Sequence, residues 1–397
     1  MKYSFSSKVQ SLQSSVVRDI LKLTQGGDMI SFAGGLPAEE LFPVQAVKDA
    51  AVRALDGGPA ALQYGLTEGY LPLREQLAER MARKGIHASP EQMLLTTGSQ
   101  QAIDLLVSIL TEPGDTVLVE KPTYLACLQV FAMHGLKVIA AESDEDGMIP
   151  EDVERLIAEH RPKIMYAVPT FGNPTGRVWS MERRLKLLQL CKAYGVLIIE
   201  DDPYGDISFD GQQYSSLLSL DESVENSNVI YTSTFSKIAA PALRTGWAIG
   251  DSRVMRMMAK AKQASDLQSS SLDQQIISQL LMDFDIDAHI TLISEAYGSR
   301  MEEMNRHLAA AAVREMTWNK PKGGMFLWLT LPEGLDSEAL LRCAVGKGMA
   351  FVPGTAFYAY EPKRNTARLN FSFCTGERME RGIARFIEAI GEFTARS

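Results

Sequence analysis

Residues 232–247 read Thr-Ser-Thr-Phe-Ser-Lys-Ile-Ala-Ala-Pro-Ala-Leu-Arg-Thr-Gly-Trp. A strand-like run, Val229-Ile230-Tyr231, leads in, and a second apolar run, Trp247-Ala248-Ile249, leads out. Between them stands a single lysine, Lys237, among small hydroxyl and apolar residues. Such surroundings disfavour the charged form of an amine and lower its pKa. A neutral amine is a usable nucleophile toward a carbonyl, the start of Schiff-base chemistry. The hydroxyls of Ser233, Thr234 and Ser236 and the guanidinium of Arg244 suit a phosphate beside that amine. A surface lysine in a Ser/Thr-rich loop is the other reading, and these residues alone leave both open.

Working outward, apolar runs of strand length recur at Met93–Thr97, Thr116–Val119, Val138–Ala141, Ile164–Val168, Val196–Ile199, Val229–Tyr231 and Trp247–Ile249. Helical patterns separate several of them: Ala102, Ile103, Leu105, Leu106, Ile109 and Leu110 share a face that stops at Glu112-Pro113-Gly114-Asp115. Strands alternating with helices predict an α/β fold with a mostly parallel seven-stranded sheet. Unbroken apolar strands predict a sheet covered on both faces. After about residue 285 the texture changes to a long helix over 288–314, strands at 325–331 and 367–373, and a closing helix over 378–393. This predicts a smaller α+β domain. The expected division is an N-terminal segment over 1–40, a large domain over 41–285 and a small domain over 286–397. A short amphipathic helix is expected over residues 16–23.

Ligands of an open parallel sheet sit beyond the carboxyl ends of its strands. The first strand delivers Thr97-Gly98-Ser99-Gln100-Gln101 there, a glycine turn opening a helix, where free N–H groups hold anions. The second delivers Pro122-Thr123-Tyr124, the fourth Gly172-Asn173-Pro174-Thr175-Gly176, and the fifth Asp201-Asp202-Pro203-Tyr204. The sixth delivers the lysine. Each has a bland alternative: a helix cap, a turn pair, a solvated carboxylate or a packed ring. Their order on successive strands favours a shared site. An amine, a carboxylate and a phosphate cup together suit pyridoxal phosphate, which needs a lysine and an acidic partner for its pyridine nitrogen.

The formal charge of −9 argues against a nucleic-acid or anionic-membrane surface. No signal peptide is visible at the start, and no apolar run nears the roughly 20 residues that span a bilayer. Four scattered cysteines read as reduced thiols of a cytoplasmic protein. Five dispersed histidines make a metal site unexpected.

Nearly the whole chain resembles the fold-type I, class I/II aminotransferases, and within them the branch of 2-aminoadipate and kynurenine aminotransferases. The resemblance is carried by Ile30–Pro37, Tyr64-Gly65, Gly98–Gln101, Gly172–Gly176, Asp201–Tyr204, Ser233–Trp247 and Arg368–Ser372. Thr234 departs from the family's usual serine but keeps the hydroxyl. The resemblance implies a cytoplasmic homodimer using pyridoxal 5′-phosphate to move an amino group between an L-amino acid and a 2-oxo acid. 2-Oxoglutarate is an implied acceptor, with 2-aminoadipate, aromatic or branched-chain donors. It implies that Lys237 forms the Schiff base and moves the proton, and that Asp201 pairs with the pyridine nitrogen. Asn173 and Tyr204 would bond the phenolic oxygen, Tyr124 would stack on the ring, and Ser99, Gln100, Thr234, Ser236 and Arg244 would hold the phosphate. Tyr64 would reach the neighbouring subunit's phosphate. Arg368 would clamp the substrate α-carboxylate, with Gly35 and Asn173 beside it and Arg18 on a distal carboxylate. Surface arginines are the plain alternatives for Arg368 and Arg18. The same cofactor chemistry also serves lyases, decarboxylases and racemases, and related domains occur as regulatory modules. Amino transfer to 2-oxoglutarate separates these.

Overall fold

The computed structural model describes residues 3–10, 12, 19–20 and 29–396. Each of the seven apolar runs forms a strand: β1 Met93–Thr96, β2 Thr116–Glu120, β3 Lys137–Ala141, β4 Ile164–Ala167, β5 Leu197–Asp201, β6 Val229–Thr234 and β7 Gly246–Ile249. They join in one sheet in the order β1-β7-β6-β5-β4-β2-β3. All neighbours run parallel except β7, which is antiparallel to both β1 and β6.

The strands are buried on both faces because successive side chains point to opposite sides. Leu94, Val117, Tyr166, Ile199 and Ile230 pack with Ile103 and Met258 on one side. Leu95, Leu118, Met165, Ile198 and Tyr231 pack with Leu77 and Leu187 on the other. The first of these sides is covered by α1 Ser99–Leu110 and α2 Ser252–Ser265.

Two strands run further than their apolar residues suggest. β5 takes in Glu200 and Asp201, and β6 takes in Thr232, Ser233 and Thr234. Polar residues can extend a buried strand when their side chains find partners. Glu200 accepts from the Leu217 and Leu218 N–H groups at 2.7 and 3.1 Å. Asp201 lies opposite Thr232 in the parallel register. The extension moves the carboxyl edge of the sheet outward until Asp201 stands at its rim.

The C-terminal part begins with α3 Ile286–Ala311, whose first turn is capped by Asp285 accepting from the Ala288 N–H at 2.9 Å. A four-stranded sheet follows, with Phe326–Thr330 and Thr366–Asn370 antiparallel at its centre. The closing helix, α4, spans Gly376–Arg396. Ile30–Ser31 pairs in parallel with Met349–Ala350, so the N-terminal segment is stitched to this part of the chain. Tyr297 of α3 accepts from the Ala38 N–H at 2.9 Å, and Arg300 meets Glu40 at 2.6 Å. The helix expected over 16–23 lies for the most part outside the described residues, as does Arg18. Among the described residues no helix is long and apolar enough to cross a membrane.

Asp285→Ala leaves the first turn of α3 uncapped and should lower unfolding stability by about 1 kcal/mol, with Asp285→Asn nearly neutral. Denaturant midpoints of the three proteins check this, and equal midpoints would contradict it.

Candidate functional site

The strand ends meet at a cavity of about 180 Å³. Lys237 and Asp201 both line it, with Gly98, Ser99, Gln100, Tyr124, Asn173, Tyr204, Thr234, Ser236 and Arg244. A larger cleft of about 590 Å³ shares none of these residues; Arg80, Lys84, Asp202 and Asp206 are among those that line it. Its buried charges already have partners: Arg80 meets Asp206 and Asp287, and Asp202 accepts from Tyr231 at 2.8 Å. The chemistry therefore belongs to the smaller cavity.

Lys237 follows the end of β6 by three residues. Its Nζ donates to the Gly35 carbonyl at 2.9 Å and stands 5.9 Å from the centre of the Tyr204 ring. Burial, and after it the charges of Arg368 and Arg244, push the amine down to about 8. Asp201 is only 2% exposed. Tyr166 donates to its Oδ2 at 2.8 Å and Thr232 to its Oδ1 at 3.2 Å. Burial outweighs both bonds and lifts the carboxyl to about 7. A cation brought against it would hold it ionised.

A second group of residues forms a cup around Arg244. Gly98 turns the chain from β1 into α1 with φ +77°, and a Cβ there would lie 2.6 Å from Arg244 Nη2. A Cβ on Gly246 would lie 2.6 Å from the Gly98 carbonyl carbon. Glycine at both positions lets the helix start and the arginine close on one point. Arg244 itself sits at φ +42°, the left-handed cap that ends the short 3-10 turn Pro241–Leu243. Its guanidinium lies 3.4 Å from Ser236 Oγ and 3.3 Å from the Thr97 carbonyl. Thr234 Oγ1 stands 2.9 Å from Ser236 Oγ. Hydroxyls, a guanidinium and the free N–H groups of a helix start make an anion cup.

Arg368 is 2% exposed, which rules out a surface arginine. It donates to Asn173 Oδ1 at 2.8 Å and to the Ala33 carbonyl at 2.6 Å, and its Nε has no partner among the described residues. The guanidinium carbon lies 4.3 Å from the Phe326 ring centre and 5.1 Å from that of Phe357. Burial lowers it to about 10, so it stays charged at neutral pH. Burial raises the pKa of the Tyr204 phenol, against the nearby Arg368 charge and Asn173, and burial likewise raises that of Tyr124.

The residues expected at the strand ends thus line one cavity, with exceptions. Gln100 lines it, but its amide stands 3.5 Å from the Ala126 carbonyl. Gly35 contributes a carbonyl to Lys237. Tyr64 is 77% exposed and does not line this chain's cavity; the adjacent Gly65 N–H bonds Gln268. Ser233 turns away and donates to the Asp202 carbonyl at 2.7 Å. Tyr166 and Thr232, which grip Asp201, were missed. Tyr166 sits inside an apolar run and reads as core; its parity with Asp201 across adjacent strands was the available signal.

A family model described as aminotransferase class I and II matches residues 28–386. Aromatic-amino-acid aminotransferase 1 of Thermococcus litoralis is 40% identical over 395 residues, 98% of this chain and 94% of that protein. The crystal structure of Pyrococcus horikoshii kynurenine aminotransferase, in complex with PMP, is 40% identical with a TM-score of 0.92, covering 98% of this chain and 97% of that one. The α-aminoadipate aminotransferase of Thermus thermophilus, complexed with N-(5′-phosphopyridoxyl)-L-leucine, is 34% identical with a TM-score of 0.92, covering 99% of this chain and 98% of that one.

Lys237 should react with a small aldehyde and borohydride in the ligand-free chain with half-maximal labelling near pH 8, since the amine is protonated below that value. Exposed lysines should follow near pH 10.4. Peptide mass spectrometry across pH checks this, and labelling of Lys237 in step with exposed lysines would contradict it.

Proposed function

The chain belongs to aminotransferase class I and II, and we propose that its Lys237 and Asp201 work as a pair on aromatic and 2-aminoadipate-type donors with 2-oxoglutarate as acceptor. It is a pyridoxal-phosphate enzyme that moves an amino group between an amino acid and a 2-oxo acid. The observation carrying the proposal is that a lysine of lowered pKa and a buried carboxyl of raised pKa face one cavity from adjacent connections.

The residues fit the cofactor. The anion cup suits its phosphate, and a carboxyl lifted to about 7 by burial suits a pyridinium that would restore its charge. When bound, pyridoxal phosphate supplies a carbon that receives the donor's nitrogen and a ring that takes up the electrons released at the donor's Cα. Lys237 takes the proton from that Cα; an amine near 8 is matched to the task at neutral to mildly alkaline pH. Asp201 holds the ring nitrogen protonated, kept in orientation by Tyr166 and Thr232. Ser99, Thr234, Ser236 and Arg244 would hold the phosphate, with Gln100 contributing through its backbone N–H at the helix start. Tyr124 would pack on the ring, and Asn173 and Tyr204, which line the same cavity, would bond its phenolic oxygen. Arg368 takes the α-carboxylate of each substrate in turn, with its unpartnered Nε among the donors available. Gly35 lines the substrate's place beside it. Arg18 is assigned the distal carboxylate of acidic donors on the family resemblance.

The support for this substrate range is the three relatives, whose names cover aromatic amino acids, kynurenine and α-aminoadipate. We place the enzyme in the cytoplasm as a homodimer, with residues 1–40 as the N-terminal segment, 41–285 as the cofactor domain and 286–397 as the small domain. Tyr64, exposed beside the exposed Leu62 and Leu66, would complete the partner's phosphate cup.

With 2-oxoglutarate as acceptor, aromatic amino acids and 2-aminoadipate should exceed alanine and lysine in kcat/KM, and Arg18→Ala should depress the acidic donor alone. A donor panel decides, and failure of every aromatic and acidic donor would overturn the substrate range. Arg368→Lys should raise KM for each donor about 10- to 100-fold, the loss of a bidentate grip. Inactive Tyr64→Ala and Lys237→Ala proteins should regain activity when mixed and allowed to exchange subunits. One interface in the mixed dimer then has both residues intact; no recovery would place Tyr64 in its own chain's site.

A further inference from the structure

Three connections of the large sheet meet one layer outside the cavity. Glu120 ends β2 four residues before Tyr124. Arg177 follows Asn173 by four residues, and Trp179 comes two later. Ser143 belongs to a small hairpin, where it pairs with Met148. Glu120 is 7% exposed and Trp179 2%. Four atoms here find no hydrogen-bond partner among the described residues: Glu120 Oε1, Ser143 Oγ, Arg177 Nη1 and Trp179 Nε1. Arg177 Nη1 stands 3.6 Å from Glu120 Oε1, an ion-pair distance but too long for a hydrogen bond. Burial raises the Glu120 carboxyl above its usual range, against the Arg177 charge and the nearby Trp179 and Ser143, which favour the ionised form.

A buried polar group left unpaired is destabilising, so three donors converging on one carboxylate call for a common partner. The set comprises two N–H donors, one carboxylate acceptor and one hydroxyl that serves either way. A cation would be repelled by Arg177 and an anion by Glu120. A neutral guest that accepts from Trp179 and Arg177 and donates to Glu120 and Ser143 satisfies all four. Water has that valence, and buried waters in proteins make two to four such bonds. The hairpin leaves no slack for the ring to move instead: a Cβ on Gly147 would lie 2.5 Å from Trp179 Cδ1.

We propose that this knot encloses one ordered water molecule, and that Glu120 and Arg177, joined through it, are positioning residues for Asn173 and Tyr124. The strut ties the connection bearing Tyr124 to the turn bearing Asn173. Asn173 in turn holds Arg368 at 2.8 Å. Loosening the strut releases the asparagine, and the guanidinium shifts with it. The inference rests on Arg368 as the carboxylate site and adds what keeps it aligned.

A high-resolution crystal structure of the holoenzyme should show one water within hydrogen-bond distance of all four atoms. Direct bonds among the four side chains, with no density between them, would overturn the water. Glu120→Gln and Ser143→Ala, assayed well below their unfolding temperatures, should raise KM for the amino donor about tenfold and leave kcat within about twofold. A KM unchanged in both overturns the positioning role. If Glu120→Gln does not accumulate as folded protein, Ser143→Ala on the hairpin decides alone. Arg368→Lys is the control. If it too leaves KM unchanged, the carboxylate assignment fails, and the water still stands or falls on the crystal structure.

Discussion

Two ionisable groups of opposite sign are held in one buried cavity without touching each other. Burial drives the Lys237 amine toward neutrality and the Asp201 carboxyl toward protonation, and both effects disfavour charge where no opposite charge is at hand. The sheet is what keeps them apart. Asp201 is fixed at the end of β5 by the parallel register with Thr232, and Lys237 leaves the neighbouring β6 three residues beyond its end. A molecule with a carbonyl at one end and a basic ring nitrogen at the other relieves both strains together. The cost of burying these groups is met when the cofactor binds, which makes the chain a tight receptor for that one shape.

The surrounding residues extend the same logic. The anion cup depends on absent side chains at Gly98 and Gly246 as much as on present ones, since either Cβ would displace Arg244 or the turn beneath it. Arg368 is deeply buried yet has only oxygen partners of neutral groups, Asn173 and Ala33. No carboxylate is bonded to it among the described residues. A buried cation bonded to neutral groups is poised for an anionic ligand, and here its π contacts with Phe326 and Phe357 hold it meanwhile.

Much of this was legible in the chain. The seven apolar runs marked the sheet because strands covered on both faces carry unbroken apolar side chains, and Lys237, Asn173 and Asp201 fell at their ends. Strand ends were read short at Glu200, Asp201 and Thr232 to Thr234, because a polar side chain with a buried partner resembles a loop residue until the partner is known. Tyr166 was invisible for the converse reason: its hydroxyl bonds Asp201 while its ring packs against Phe131, and only the ring shows in a hydropathy pattern. The burial of Arg368 could not be read from alternation, since Asn370 and Ser372 beside it are polar and yet also buried.

The N-terminal segment links the two parts of the chain mechanically. Ile30 and Ser31 are strand partners of Met349 and Ala350, and the Phe32 carbonyl accepts from the Asn370 N–H at 2.8 Å. Yet Ala33 and Gly35 on the same stretch supply the carbonyls that hold Arg368 and Lys237. One wall of the reaction chamber is thus freight carried by the C-terminal part of the chain while the opposite wall is anchored in the large sheet. The lysine's carbonyl acceptor and the Arg368 guanidinium therefore travel with the C-terminal strands, while Asp201 belongs to the large sheet.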